Sequence, residues 1–107
     1  MSDDIKLTLT SALILYVIGA GYPYGFDIME ATGLPSGTVY PALRRLEQQA
    51  LVHSSWEKHS KAQAEQRPAR KYYKLTSAGD RALANAVQRY RMLQQIAQPS
   101  KAPSKEA

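Results

Sequence analysis

Residues 34–49 read Leu34-Pro35-Ser36-Gly37-Thr38-Val39-Tyr40-Pro41-Ala42-Leu43-Arg44-Arg45-Leu46-Glu47-Gln48-Gln49. Val39, Leu43, Leu46 and Ala50 recur at spacings of 4, 3 and 4, the period of a single buried helix stripe. With Ser36 as N-cap, this spacing predicts a helix over residues 37–49. Pro41 stands in its first turns, where it costs one backbone bond. The faces away from the stripe carry Gly37, Thr38, Tyr40, Arg44, Arg45 and Gln48. Hydroxyls thus lead and cations follow.

Upstream, Gly33-Leu34-Pro35 is a turn, and residues 24–32 fit a helix with Phe26, Ile28 and Met29 as its apolar positions. Another helix is expected over residues 4–18, capped by Asp3 or Asp4, whose charge suits the positive end of the dipole. Leu9, Leu13, Tyr16 and Val17 form its stripe, and Leu7, Ile14 and Ile18 widen it. A helix apolar on so many sides is buried on more than one face. Gly19, Gly21 and Pro23 end it.

Downstream, the period shortens to two. Residues 51–57 and 71–76 alternate and read as short strands. The polar segment 58–70 joins them as a long, basic loop, with a mobile tip expected. Thr76 or Ser77 caps a last helix over residues 78–97. Its Leu83, Ala86, Tyr90, Leu93 and Ala97 are spaced 3, 4, 3 and 4, a heptad-like seam flanked by Val87 and Ile96. At 1.5 Å per residue this helix is about 30 Å long, more than a core of this size needs. Pro99 stops it, and residues 98–107 read as a disordered tail.

The 107 residues suffice for one small domain, marginal alone and helped by association. The net charge of +5 is unevenly spread. Residues 1–43 hold one base and four acids, net −3; residues 44–91 hold eleven bases and four acids, net +7. A basic face in the middle of the chain favours a polyanionic partner. The absence of cysteine excludes disulfides, thiolate metal sites and thiol nucleophiles, and suits a reducing, cytoplasmic setting. The apolar run 9–20 is too short and too interrupted to span a membrane, and its leader is acidic rather than basic. Asp27, Glu30 and His53 lack metal-ligand spacing and His59 lies in the polar loop, so neither metal nor cofactor is expected. No nucleophile, base and acid assemble into a catalytic set, so an enzyme is not expected.

The fold class is mainly α with a small β-hairpin: a winged helix-turn-helix plus a long C-terminal dimerisation helix. Residues 1–76 would be the DNA-binding domain and 77–97 the dimerisation helix. A recognition helix puts its N-terminal half into the major groove. Thr38 and Tyr40 suit that half, because hydroxyls reach phosphates and base edges. Arg44 and Arg45 would reach phosphate or, as the second choice, guanine, and the free N–H groups of the helix start add an anion site. Leu83, Val87, Tyr90, Leu93 and Ile96 would leave a lone chain with an exposed stripe that a two-fold dimer buries twice. Tyr16, Trp56, Tyr90 and Met92 are candidate lining for an effector cavity between subunits, although such residues also serve as plain packing. A winged helix used for protein contact without DNA is the competing reading.

The sequence resembles the PadR family of winged-helix transcriptional regulators over residues 7–97. The likeness rests on Tyr24-Gly25-Phe26-Asp27-Ile28, on the run 34–47 with its Thr-x-Tyr-Pro-x-Leu core, and on Arg70-Lys71-Tyr72-Tyr73-Lys74-Leu75-Thr76-Ser77-Ala78-Gly79. The resemblance implies a homodimeric repressor on a roughly palindromic operator, with a C-terminal helix that crosses to the partner. It also implies that a small phenolic or hydrophobic effector could release the DNA. Ser36, Thr38 and Tyr40 match the start of the family's recognition helix, Arg44 its later phosphate-facing position, and Arg70 and Lys71 the base of the wing. The single C-terminal helix fits the short branch, whose dimer would rest on the first helix, at Leu9, and on the last. Where the family favours Gly or another small residue before the strand, this chain has Gln49-Ala50-Leu51, a departure expected to be harmless to the fold.

Overall fold

The computed structural model describes residues 6–97. The expected Asp3 or Asp4 cap and the expected disordered tail, residues 98–107, lie outside them. Eight elements follow in the order α1 (Leu9–Gly19), α2 (Gly25–Thr32), α3 (Ser36–Gln48), β1 (Val52–Trp56), α4 (His59–Ala64), β2 (Lys71–Leu75), α5 (Ser77–Arg89) and α6 (Arg91–Ala97).

The first helix starts later than its apolar pattern predicts. Thr8, in extended conformation, caps α1 by accepting from the Ser11 N–H at 3.1 Å. Leu7 is buried ahead of that cap, so its apolar character reports core and not helix. As the all-round apolar pattern requires, α1 is the central element, with α2, α3, α5 and β2 packed about it. Ala12, Ile14, Leu15, Val17 and Ile18 are buried.

The turn after α2 runs through Gly33, which is left-handed at φ 76° and donates to the Met29 carbonyl. Helix α3 starts at Ser36 with Pro35 as its cap position, one residue earlier than expected. Val39, Ala42, Leu43 and Leu46 are buried against the core, and the helix runs on through Pro41. Ala50 lies beyond the helix end and is exposed at φ 61°, so it is a turn residue and not the last member of the stripe.

Strands β1 and β2 pair antiparallel, Val52 opposite Leu75 through Trp56 opposite Lys71. The hairpin is sewn to the rest of the chain by the Tyr73 N–H, which donates to the Pro23 carbonyl at 2.9 Å, and by a bridge between Tyr24 and Tyr72.

The connection between the strands is ordered, contrary to the loop expected there. It contains α4, with Ala62 buried. Glu57 is buried and takes a bidentate pair of bonds from Arg67, at 2.6 and 2.7 Å. Its Oε1 also accepts the Arg70 N–H, and its own N–H donates to the Arg70 carbonyl at 2.7 Å. Arg67 also reaches Glu65 at 2.9 Å, so charge-assisted bonds from this one guanidinium close the segment.

The single long C-terminal helix is likewise corrected. Tyr90 is extended, with φ −106° and ψ 114°, and parts α5 from α6. The break lets Leu93 turn back into the chain's own core, where it is 0% exposed. Tyr90 Oη and Arg89 Nη2 both donate to the Leu7 carbonyl, at 2.7 and 2.6 Å, and Tyr16 Oη donates to the Ile96 carbonyl at 3.4 Å. No helix among the described residues is long and apolar enough to cross a membrane.

Candidate nucleic-acid interface

Helix α3 turns two chemically distinct faces. The buried side is aliphatic; the outer side presents Ser36, Gly37, Tyr40, Arg44, Arg45 and Gln48, all exposed, with Thr38 half-buried. No side chain caps its start. Thr38 and Val39 N–H groups donate to the Pro35 carbonyl, whereas those of Ser36 and Gly37 have no acceptor among the described residues. Two amides at the positive end of a helix dipole are therefore free for an anion.

The hairpin stands beside this face. Glu47 of α3 ties the two together: its Oε2 accepts from Ser54 Oγ at 2.6 Å, and its Oε1 lies 3.9 Å from Lys71 Nζ. Lys71 Nζ is 5.9 Å from the ring centroids of both Trp56 and Tyr73. Arg70 lies over the Tyr24 ring at 4.8 Å, and Tyr24 meets Tyr72 edge to face at 5.7 Å. Both cations are thus aimed by aromatic faces. Burial pushes the Tyr73 hydroxyl above its usual range, with the Glu47 charge adding to the effect.

A groove of about 430 Å³ opens between the start of α2, α3 and the hairpin. Tyr40 lies across Gly25 on one side of it, and Phe26, Trp56, Arg70 and Lys71 line the rest. Phe26 is 64% exposed, although its apolar type groups it with Ile28, which is buried, and Met29, which is half-buried against the core. Its place two residues before Ile28 puts it on the opposite side of α2, a signal in the spacing that the apolar residue type alone conceals.

Of the sequence-derived binding residues, Tyr40, Arg70 and Lys71 share this groove, and Ser36, Thr38, Arg44 and Arg45 lie along the neighbouring helix. Lys58 and Lys61 are exposed near α4 and line a second hollow with Tyr24 and Tyr72, whereas Arg67 is spent on Glu57.

The four candidate effector residues are divided. Tyr16 and Tyr90 contact the segments around Ile96 and Leu7, and Met92 is exposed on α6, while Trp56 is on the hairpin. Among the pairing candidates, Leu9, Leu83, Val87 and Tyr90 are half-buried and Ile96 is exposed, whereas Leu93 is inside. Among the described residues no group of His, Asp and Glu could hold a metal ion.

The model of the transcriptional regulator PadR-like family matches residues 14–85, the span from α1 to the middle of α5. Among solved structures, a PadR family transcription regulator from Clostridium difficile R20291 is 26% identical, with TM-score 0.69 over 86% of this chain and 97% of that one. A PadR-like transcription factor from Bacteroides fragilis is also 26% identical, with TM-score 0.64 over 82% and 85%. The protein smu.1704 from Streptococcus mutans UA159, at 24% identity, shares the fold with TM-score 0.67 over 92% of both chains. Comparison with curated proteins finds no match.

Proposed function

The chain belongs to the PadR-like family of transcriptional regulators, and from that premise we propose that it acts as a homodimer that binds double-stranded DNA and represses transcription. The observation that carries this reading is the division of α3, whose inner side is wholly aliphatic and whose outer side is free hydroxyl, guanidinium and amide. Inserted into a major groove, Thr38 and Tyr40 meet base edges or phosphates near the helix start. The free amides of Ser36 and Gly37 take a phosphate, Arg44 and Arg45 follow the backbone, and Arg70 and Lys71 of the wing hold the flanking strand.

In this reading residues 1–76 are the DNA-binding unit and 77–97 the pairing segment. A second copy covers the α5–α6 end, where Met92 and Ile96 are exposed and Leu9, Leu83, Val87 and Tyr90 are half-buried. Two copies then present two α3 helices to half-sites about one helical turn apart. A small hydrophobic or phenolic effector would enter between the subunits, near Tyr16, Tyr90 and Met92. Selection of bound duplexes from a random library tests the reading. A palindromic site with half-sites one turn apart is expected; failure to enrich any duplex would overturn it.

A further inference from the structure

We propose that Phe26 and Trp56, together with Tyr40, form an aromatic clamp for one sugar–phosphate strand of the bound duplex, where it passes between α3 and the wing. The inference rests on the DNA-binding reading and extends it to two residues that the helix-turn-helix pattern does not assign.

Six large apolar or aromatic side chains are exposed among the described residues, and three of them, Phe26, Tyr40 and Trp56, line this one groove. Trp56 is 65% exposed at the last position of β1. Apolar surface gathered in one place and left uncovered is kept for a partner, because its exposure costs stability. The groove lies against the recognition helix, so its occupant is continuous with whatever α3 binds.

The charge around the rings selects the partner. No residue lining the groove is acidic, while Arg70 and Lys71 both belong to it. Glu47, the one carboxylate within salt-bridge distance of Lys71 among the described residues, is engaged by Ser54. A nucleic-acid strand alternates the two surfaces offered here, an apolar sugar face and an anionic phosphate. Trp56 and Phe26 pack against sugars, and Lys71, which lies beside the Trp56 ring, faces the phosphate between them.

The lone tryptophan makes the test direct. A duplex selected by the protein is titrated while Trp56 emission and duplex anisotropy are followed together. Both are expected to change with the same midpoint. Trp56→Ala and Phe26→Ala should each weaken binding about tenfold, the scale of the apolar area that part of one aromatic ring buries against a sugar. Their salt dependence should stay that of the wild type, because no phosphate contact is removed; Lys71→Ala should lower the salt slope by about 0.9. Trp56→Phe should restore most of the loss. Unchanged affinity in both alanine variants, or a Trp56 response to a phenolic compound but not to duplex, would overturn the clamp. If Arg44→Glu still abolishes binding in that case, the DNA reading stands and only the clamp falls; if the wild type binds no duplex, both fall.

Discussion

Tyr40 rests directly on the backbone of Gly25: a Cβ at that glycine would meet the tyrosine ring at 2.5–2.7 Å. Helix α3 and the start of α2 are held at this separation by the absence of a side chain. Gly25→Ala must swing the Tyr40 ring outward, which is inexpensive because Tyr40 is already exposed. The variant should lose about 1 kcal/mol of stability or less and weaken duplex binding about tenfold. Thermal unfolding and a gel-shift titration separate the two effects.

Ala50 occupies a left-handed conformation at φ 61° where the wing begins. The wing forms with alanine here, and a Cβ in that conformation costs about 1–2 kcal/mol. Glycine removes that strain and adds freedom to the unfolded chain. Ala50→Gly should therefore stabilise the protein by about 0.5–1 kcal/mol net, read as a higher urea midpoint with an unchanged slope.

Glu57 has its carboxyl pulled down from the ordinary 4.5 to about 2, chiefly by the hydrogen bonds from Arg67. A carboxylate depressed in the folded state contributes stability that is complete above its unfolded value and is lost as pH falls through the folded one. The wing connection should therefore loosen between about pH 4.5 and pH 2. Glu57→Gln should remove that part of the pH dependence and lower stability at neutral pH. Thermal midpoints of both proteins across this range check it.

The helix-turn-helix was legible because its signals are local. Val39, Leu43 and Leu46 have one period, and the turn at Gly33 and Pro35 is written in residue types. The break at Tyr90 was not, since Arg89-Tyr90-Arg91 contains neither glycine nor proline, and a heptad seam is indifferent to where the chain folds back. Helix α4 is not legible in the polar run 58–70, because the Glu57–Arg67 pair that closes the segment joins residues ten apart that no local pattern links. The groove is only half legible: Phe26 stands on the side of α2 away from Ile28, as a helical period requires, whereas Trp56 shares its strand side with the buried Val52 and is exposed by tertiary placement.

Leu93 and Ile96 are both on α6 but do different work. Leu93 is sealed in the chain's own core, so Leu93→Ala should cost about 2–5 kcal/mol in denaturant unfolding. Ile96 is 37% exposed, and Ile96→Ala should cost less than about 1 kcal/mol in chain stability. Its effect should fall instead on self-association, seen by sedimentation as a monomer–dimer midpoint shifted to higher protein concentration.

Duplex affinity of the wild type and of the double variant Arg44→Glu, Lys71→Glu, measured by anisotropy over a range of salt, probes the recognition helix and the wing at once. The wild type should bind with an affinity that falls steeply and linearly on logarithmic axes as salt rises. The double variant should show no binding while keeping the wild-type mass by light scattering. Undiminished affinity in the variant, or wild-type binding indifferent to salt, would contradict the placement of DNA on this face.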